Sequence, residues 1–308
     1  MPLTATTPTR VMPESWRDMD IANPTEEHSM LREMVRDFVR EKVEPQALES
    51  DRNERFNLGL YREMESMRLL GLTAPREYGR AGMDATSVAI VNEELSYSDP
   101  GLCLAFLAHD QLFVNTLVHS GSDSQKQRIL PKVCSGEWVG CLGMSEPNQG
   151  TDVLGMETSA KQSDDGSWII NGRKMWITNG SLADVALVWA RDEDGIVRGF
   201  LLEKGLDGFT TSDIHGKLSL RASITSELAF SNVCVPDSAR LPNIEGLKGP
   251  LSCLTQARYG IAWGMVGAAV DCYNTALNYS KERKQFSKPI AGYQLTQAKL
   301  ADMVTKIT

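Results

Sequence analysis

Ser167-Trp-Ile-Ile-Asn-Gly-Arg-Lys-Met-Trp-Ile-Thr178 is the stretch on which the fold of this chain turns. Ser167–Asn171 and Lys174–Thr178 read as strands, and Asn171-Gly172 between them is a strong hairpin signal, because a tight primed turn needs positive φ at both central residues. Asp165-Gly166 marks another turn just upstream. Working outward, Val185–Ala190, Gly199–Glu203 and Leu228–Phe230 are further short strands with turn residues between them. No helical period interrupts the region from Trp138 to Pro236, so an antiparallel barrel or sandwich is expected there.

The flanks are helical. Leu31, Met34, Val35, Phe38 and Val39 recur at three- and four-residue intervals after Thr25, which suits an N-cap, with Glu26 and Glu27 favourable in the first turn. Pro45 predicts the end of that helix. A second helix carries Leu60, Met64, Met67 and Leu70, and Gly101–His119 is apolar on nearly every side, as a fully buried helix is. After Pro250, Gly260, Gly264, Gly267 and Ala268 share a helical face that lets another helix approach closely, which reads as packing. Pro289 breaks the pattern, and a last amphipathic helix carries Leu295, Ala298, Met303 and Ile307. That helix meets Thr308 without Gly, Pro or a polar tail, so the chain is expected to be cut short there. The fold class is α+β: an extension over 1–24, a helical domain over 25–137, a β-domain over 138–240, and the first helices of an incomplete C-terminal helical domain over 241–308.

Composition narrows the function. The 308 residues carry a net charge of −8, which argues against a nucleic-acid partner, since phosphate binding needs a basic face. Six cysteines form no C-x-x-C pair and read as reduced thiols of a cytosol-like compartment. Four scattered histidines offer no metal spacing. The N-terminus lacks the apolar core of a secretory signal and turns acidic by Glu14, leaving room only for a short mitochondrial presequence. The apolar run Ile261–Val270 falls well short of the ~20 residues of a membrane span. A soluble cytoplasmic protein is expected, or one of the mitochondrial matrix in a eukaryote.

Four segments carry chemistry: Leu142-Gly-Met-Ser-Glu-Pro-Asn-Gln-Gly-Thr-Asp152, Lys174-Met-Trp-Ile-Thr-Asn-Gly180, Arg283-Lys-Gln-Phe286 followed by Gln294, and Leu254-Thr-Gln-Ala-Arg-Tyr-Gly260. Together, and in this order of helices, β-domain and helices, they resemble the acyl-CoA dehydrogenase family over nearly the whole length. The resemblance implies FAD as cofactor. Leu142, Met144, Ser145, Gly150 and Thr151 would meet the flavin, with Ser145 and backbone N–H groups facing its pyrimidine end and Gly150 allowing close approach. Trp176 would cover one face of the ring, and Ile177 and Thr178 its N5 edge, where hydride arrives; the alternative is a strand tryptophan in a hairpin core. Arg283, Gln285, Phe286 and Gln294 would reach the flavin of a neighbouring subunit, Arg283 contacting the pyrophosphate; a solvated charged helix end is the other reading. Thr151, Leu254, Thr255 and Arg258 would border the substrate, although Arg258 also reads as one half of a buried ion pair. Leu220-Arg-Ala-Ser-Ile-Thr225 resembles a family segment with a structural or subunit-contact role.

The implied reaction is α,β-dehydrogenation of an acyl-CoA thioester, with electrons passed to an electron-transfer flavoprotein and a homo-oligomer, tetramer or dimer, completing the site. It needs a carboxylate base at the α-carbon. Family members take it from a Glu-Gly-Thr segment near the C-terminus or from a Glu immediately before the helix arginine. Here Ala257 precedes Arg258 and no Glu-Gly-Thr occurs, so no catalytic residue is assigned in this chain and the base is expected beyond Thr308. Glu93, Glu94 and Glu146 match structural positions. The C-terminal third, with Ala257-Arg-Tyr-Gly-Ile-Ala-Trp-Gly264 and Lys217-Leu-Ser-Leu-Arg-Ala-Ser223, resembles glutaryl-CoA-specific members. Leu102-Cys103-Leu104 lacks the arginine that grips a distal carboxylate, and Ala108–Asn115 resembles isovaleryl and short-chain members. An uncharged short, medium or branched acyl chain is therefore expected. An acyl-CoA oxidase of the same fold, or a truncated non-catalytic binding paralogue, are the competing readings.

Overall fold

The computed structural model describes residues 23–308, so the expectations for the first 22 residues lie outside the described residues. Helix α1 (Glu26–Phe38) opens as the sequence predicts: the Thr25 hydroxyl accepts the amide of His28, and Glu26 and Glu27 fill the first turn. Pro45 does not stop it. A π-helical turn, Val39–Val43, intervenes, and α2 (Glu44–Arg52) continues with Pro45 in its first turn. Proline lacks a donor, and the Glu44 amide reaches back to the Val39 carbonyl, so the widened turn absorbs the missing bond. Next come α3 (Leu58–Glu63) and α4 (Ala85–Ser98).

The buried helix runs unbroken as α5 (Pro100–Leu107), a π segment (Ala108–Val114) and α6 (Asn115–Ser120). By length and hydropathy this Pro100–Ser120 helix is apolar enough to cross a membrane, which the count over Ile261–Val270 missed; 78% of its apolar window is buried inside the fold. Helix α7 (Asp123–Cys134), with a Ser122/Gln125 capping box, leads into the β-domain.

Nine strands follow from there: β1 (Gly140–Gly143), β2 (Ser159–Gln162), β3 (Trp168–Thr178), β4 (Val185–Arg191), β5 (Val197–Glu203), β6 (Phe209–Asp213), β7 (Thr225–Val235), and the short pair β8 (Lys284–Gln285) and β9 (Lys288–Pro289). The main sheet runs β1-β4-β2-β3-β7-β6 with β5 beside β4. It is mixed rather than antiparallel throughout: β1 and β4 pair in parallel from Gly140–Val185 to Gly143–Val188. The chain leaves β1, makes the β2–β3 hairpin and returns along β4 in the original direction.

A second correction concerns Asn171-Gly172. It is not a hairpin turn, because β3 runs straight through it, paired with β2 on one side and β7 on the other. The register shifts at Gly172, whose φ of 144° belongs to glycine and where a Cβ would stand 2.6 Å from the Thr158 hydroxyl. The pair marks a bulge. The hairpin turn is Asp165-Gly166, where Gly166 has φ of 84° and Asp165 accepts the amide of Ser167 at 2.9 Å.

Helix α8 (Lys248–Glu282) returns to pack on α4, and α9 (Gln294–Ile307) follows, with Leu295 83% exposed. The glycine face does what its spacing implies. A Cβ on Gly267 would stand 1.9 Å from the Glu93 carbonyl oxygen, and one on Gly264 would stand 2.8 Å from the Ser96 hydroxyl.

Buried groups join the domains. The Gly140 amide donates to His109 Nδ1 at 3.0 Å, and His109 Nε2 lies 3.0 Å from the Val133 carbonyl, so a neutral ring satisfies both sides. Burial lowers His109 to about 4. Burial also raises its neighbour Asp110 to about 7, against the backbone amide of Leu72 and the charge of Arg80.

Gly267→Ala should destabilise the protein by about 1–3 kcal/mol in urea titrations, despite its gain in helix propensity, because the obstacle is backbone. The His109–Asp110 pair makes a second prediction. His109 has a folded pKa of about 4 against 6.5 unfolded, so its contribution is lost as pH falls through that window. Asp110, at about 7 against 3.8, contributes stability that is lost as pH rises, so the two nearly cancel. Asp110→Asn should unmask His109 and lose about 3 kcal/mol between neutral pH and pH 4 relative to wild type, at 1.36 kcal/mol per unit. A pH-stability curve parallel to wild type contradicts this.

Candidate active site

The loop that leaves β1 and the C-terminal half of β3 are built as one unit. The Met175 amide donates to the Ser145 carbonyl at 2.8 Å, joining the first two sequence segments directly. Lys174, fully buried, donates to Glu146 Oε1 at 2.7 Å and to the Met144 carbonyl at 3.2 Å. Glu146 also accepts the amides of Glu157 at 2.6 Å and Thr158 at 2.9 Å. Burial lowers Lys174 to about 8, with Glu146 pulling the other way. Burial alone would raise Glu146; Lys174 and its hydrogen-bond donors hold it below its ordinary value.

The strand register shifts again between Lys174 and Ile177, and in this bulge Trp176 takes φ of 64°. A left-handed conformation costs a non-glycine residue roughly 1–2 kcal/mol. The result is an indole 61% exposed to solvent, so it is not a hairpin-core tryptophan. Ser145 and Thr178 are half-buried beside this bulge, while Gly150 and Thr151 are exposed. Among the described residues nothing lies within 4 Å of a Cβ built on Gly150, so their packing does not demand glycine there. Leu142 and Met144 are each 8% exposed and Ile177 4%, so they offer a ligand chiefly their main chain. A flat exposed ring flanked by hydroxyls and loop backbone fits a planar, hydrogen-bonding aromatic ligand of the flavin kind.

The third segment lies elsewhere on the chain. Arg283 caps the end of α8, and Lys284–Pro289 forms a hairpin whose tip, Phe286-Ser287, has φ of 49° and 65°. Two positive φ values make the primed turn that matches strand twist, and they leave Phe286 92% exposed. Lys281, Glu282 and Arg283 do form a solvated, charged helix end, and the hairpin that carries Phe286 projects beyond it. Tyr293 braces the hairpin, its hydroxyl donating to the Gln285 carbonyl at 2.9 Å, and Gln294 opens α9. Among the described residues, no hydrogen bond joins this hairpin to Ser145 or Trp176. On α8, Leu254 is half-buried while Thr255 and Arg258 are exposed. Arg258 has no ion-pair partner among the described residues, so the buried-pair alternative is not realised.

Three carboxylates near these elements are engaged. Glu93 pairs with Arg32 at 2.8 Å, Glu94 with Arg32 at 2.6 Å and Arg36 at 2.8 Å, and Glu146 with Lys174. A cleft of about 340 Å³ lined by Arg36, Glu93, Glu94, Tyr97 and Asn274 is separate from the Ser145–Trp176 face. The sequence reading assigned no role to Lys174 or Gln111. Gln111 is buried with neither amide atom partnered, against Gly260 of α8. A lysine inside an apolar strand was the signal available for the first; none marked the second.

Residues 25–137, 141–233 and 245–308 match, in turn, the acyl-CoA dehydrogenase N-terminal, middle and C-terminal domains. Isovaleryl-CoA dehydrogenase, mitochondrial, of Solanum tuberosum is 39% identical over 284 residues, covering 90% of this chain and 68% of that protein. The glutaryl-CoA dehydrogenase structure from Mycobacterium smegmatis is 43% identical with a TM-score of 0.89, over 92% of this chain and 73% of that one. The structure of a glutaryl-CoA dehydrogenase from Mycobacterium smegmatis in complex with FADH2 is 41% identical with a TM-score of 0.89, over 92% of this chain and 72% of that one. Butyryl-CoA dehydrogenase from Megasphaera elsdenii is 34% identical with a TM-score of 0.88, over 92% of this chain and 76% of that one.

Trp176→Gly should leave thermal stability unchanged or raise it by about 1 kcal/mol, since it relieves a left-handed backbone and removes an exposed ring. A loss of several kcal/mol in a melting experiment would place the indole in the core after all.

Proposed function

The chain belongs to the acyl-CoA dehydrogenase family of FAD-dependent oxidoreductases, and from that premise we propose that it handles the thioester of an uncharged short, medium or branched acyl chain. In this reading it acts as a homo-oligomer, passes electrons to an electron-transfer flavoprotein, and works in the cytoplasm or, in a eukaryote, the mitochondrial matrix. The single observation that carries it is the hydrogen bond between Met175 and Ser145, which assembles both flavin-type segments on one face beside an exposed indole.

Bound FAD supplies the hydride acceptor. The chain's own part is to bind and orient. Trp176 offers an apolar face for the ring system. The Ser145 hydroxyl would supply a hydrogen bond to the end of the ring that gathers negative charge, and Thr178 would supply one to the edge that meets the substrate. Arg283 and Phe286, on a projecting hairpin away from this face, suit the flavin of a second copy, with Arg283 as a permanently charged fork for a pyrophosphate. Arg258, exposed and unpaired among the described residues, is available to the CoA thioester beside Leu254, Thr255 and Thr151.

Two features favour a neutral acyl chain. Leu102 and Cys103 are 2% and 1% exposed, and the Cys103 thiol, raised to about 12 by burial, is bound to Asn92. No cation stands in that stretch to meet a distal carboxylate. Glu93, Glu94 and Glu146 are held in ion pairs and Ala257 precedes Arg258, so none of these positions is assigned as the α-proton acceptor.

Two measurements test this reading. Titrated into the flavin-loaded protein and followed by perturbation of the visible band, isovaleryl- or butyryl-CoA should bind about tenfold or more tightly than glutaryl-CoA. Tighter binding of glutaryl-CoA than of both neutral thioesters would overturn the substrate class. Mixed anaerobically with any of them, the 308-residue chain should keep its flavin band, since a general base is typically worth about 10²–10⁴-fold in rate. Rapid bleaching would mean that a carboxylate among these residues serves as the base.

A further inference from the structure

Ser145 lies between two residues that one side chain grips at once. Lys174 Nζ takes the Met144 carbonyl at 3.2 Å and the Glu146 carboxylate at 2.7 Å, on either side of Ser145. The Ser145 carbonyl is itself held by the amide of Met175, the residue after that lysine and before Trp176. The lysine stem packs on β1, where a Cβ on Gly143 would stand 3.2 Å from Lys174 Cγ. Glu146 is anchored in turn by the amides of Glu157 and Thr158, and its own main chain closes the loop by exchanging hydrogen bonds with Gln149. The ion pair at the centre of this arrangement is shut off from water: the side chains of Lys174 and Glu146 are 0% and 3% accessible.

We infer that Lys174 and Glu146 are positioning residues for the flavin, a buried link that fixes the distance between the Ser145 hydroxyl and the Trp176–Thr178 bulge. This rests on the flavin reading of that face. A side chain that merely filled the core would be apolar, because an ion pair removed from water usually recovers no more than its own desolvation. What an ion pair adds is direction. Its partners sit at hydrogen-bond length and at set angles, and here they lie at the base of the two segments that must meet opposite parts of one rigid ring. Loosening them would leave the fold in place while letting the hydroxyl and the bulge drift apart.

The test compares the parent protein with Glu146→Gln, Lys174→Gln and the double variant Glu146→Gln/Lys174→Gln, all well below their melting temperatures. Each single substitution leaves one partner without its charge, and the FAD dissociation constant should rise about tenfold or more with a shift of the visible absorption band. The double variant carries no stranded charge and can rejoin the segments through neutral amides, so affinity should return to within about threefold of the parent and the band to its original place. Single variants that melt earlier yet bind FAD with unchanged affinity and spectrum would overturn the inference, since that is the behaviour of a purely structural pair. If a single variant fails to fold, the double variant decides. Recovery of the parental band supports the link, and weak binding despite parental melting overturns it. A parent protein that takes up no FAD overturns the flavin reading itself, whereas FAD bound alike by parent and variants overturns this inference alone.

Discussion

An ammonium group with no access to water has to be neutralised where it stands, and that requirement organises the middle of this protein. Lys174 points into the β-domain at a place where β1, the start of β2 and β3 converge, and only a carboxylate can settle it there. Glu146 therefore has to come off β1 in one particular turn, and that turn fixes the path of the loop to Thr158. The bulge that exposes Trp176 begins one residue beyond Lys174. Chain path, charge balance and exposed ring are thus consequences of one placement.

The helical domains obey a different constraint, which is distance. Helices α4 and α8 meet along glycines, so backbone touches backbone and Gly267 faces the Glu93 carbonyl without a side chain between. The carboxylates of Glu93 and Glu94 are in turn held by Arg32 and Arg36 of α1. The effect is to lock three helices in register while using up the acidic groups that stand nearest the long helix.

Much of this was legible in the residues, and the failures have identifiable causes. Period and capping gave α1 from Thr25, the buried Pro100–Ser120 helix and the close face of α8, because local propensity and tertiary packing agree there. Asn171-Gly172 misled because a turn and a bulge both call on a glycine with positive φ, and the presence of β7 on the far side of β3 decides between them. Pro45 misled because a π turn could absorb the donor it lacks. The parallel pairing of β1 with β4 left no local trace, since strand direction depends on the route between strands. At the site, the segments around Ser145, Trp176 and Phe286 were readable as motifs. What holds them was not: a lysine inside a strand announces that a partner exists and does not say which of the chain's acidic residues it is.

The π segment Ala108–Val114 adds a constraint of another kind. A π turn is an α-helix with one residue more than its ladder needs, and His109 uses that surplus to reach both Val133 and Gly140. Removing a single residue here would restore ordinary helix and rotate everything beyond it by about 100°. Val114 and Leu117, now wholly buried, would swing away from the core. Length itself is therefore constrained by packing in this stretch. Substitutions can accumulate along it one at a time, but a one-codon gap cannot be accommodated without moving the seam between the helical domain and the sheet.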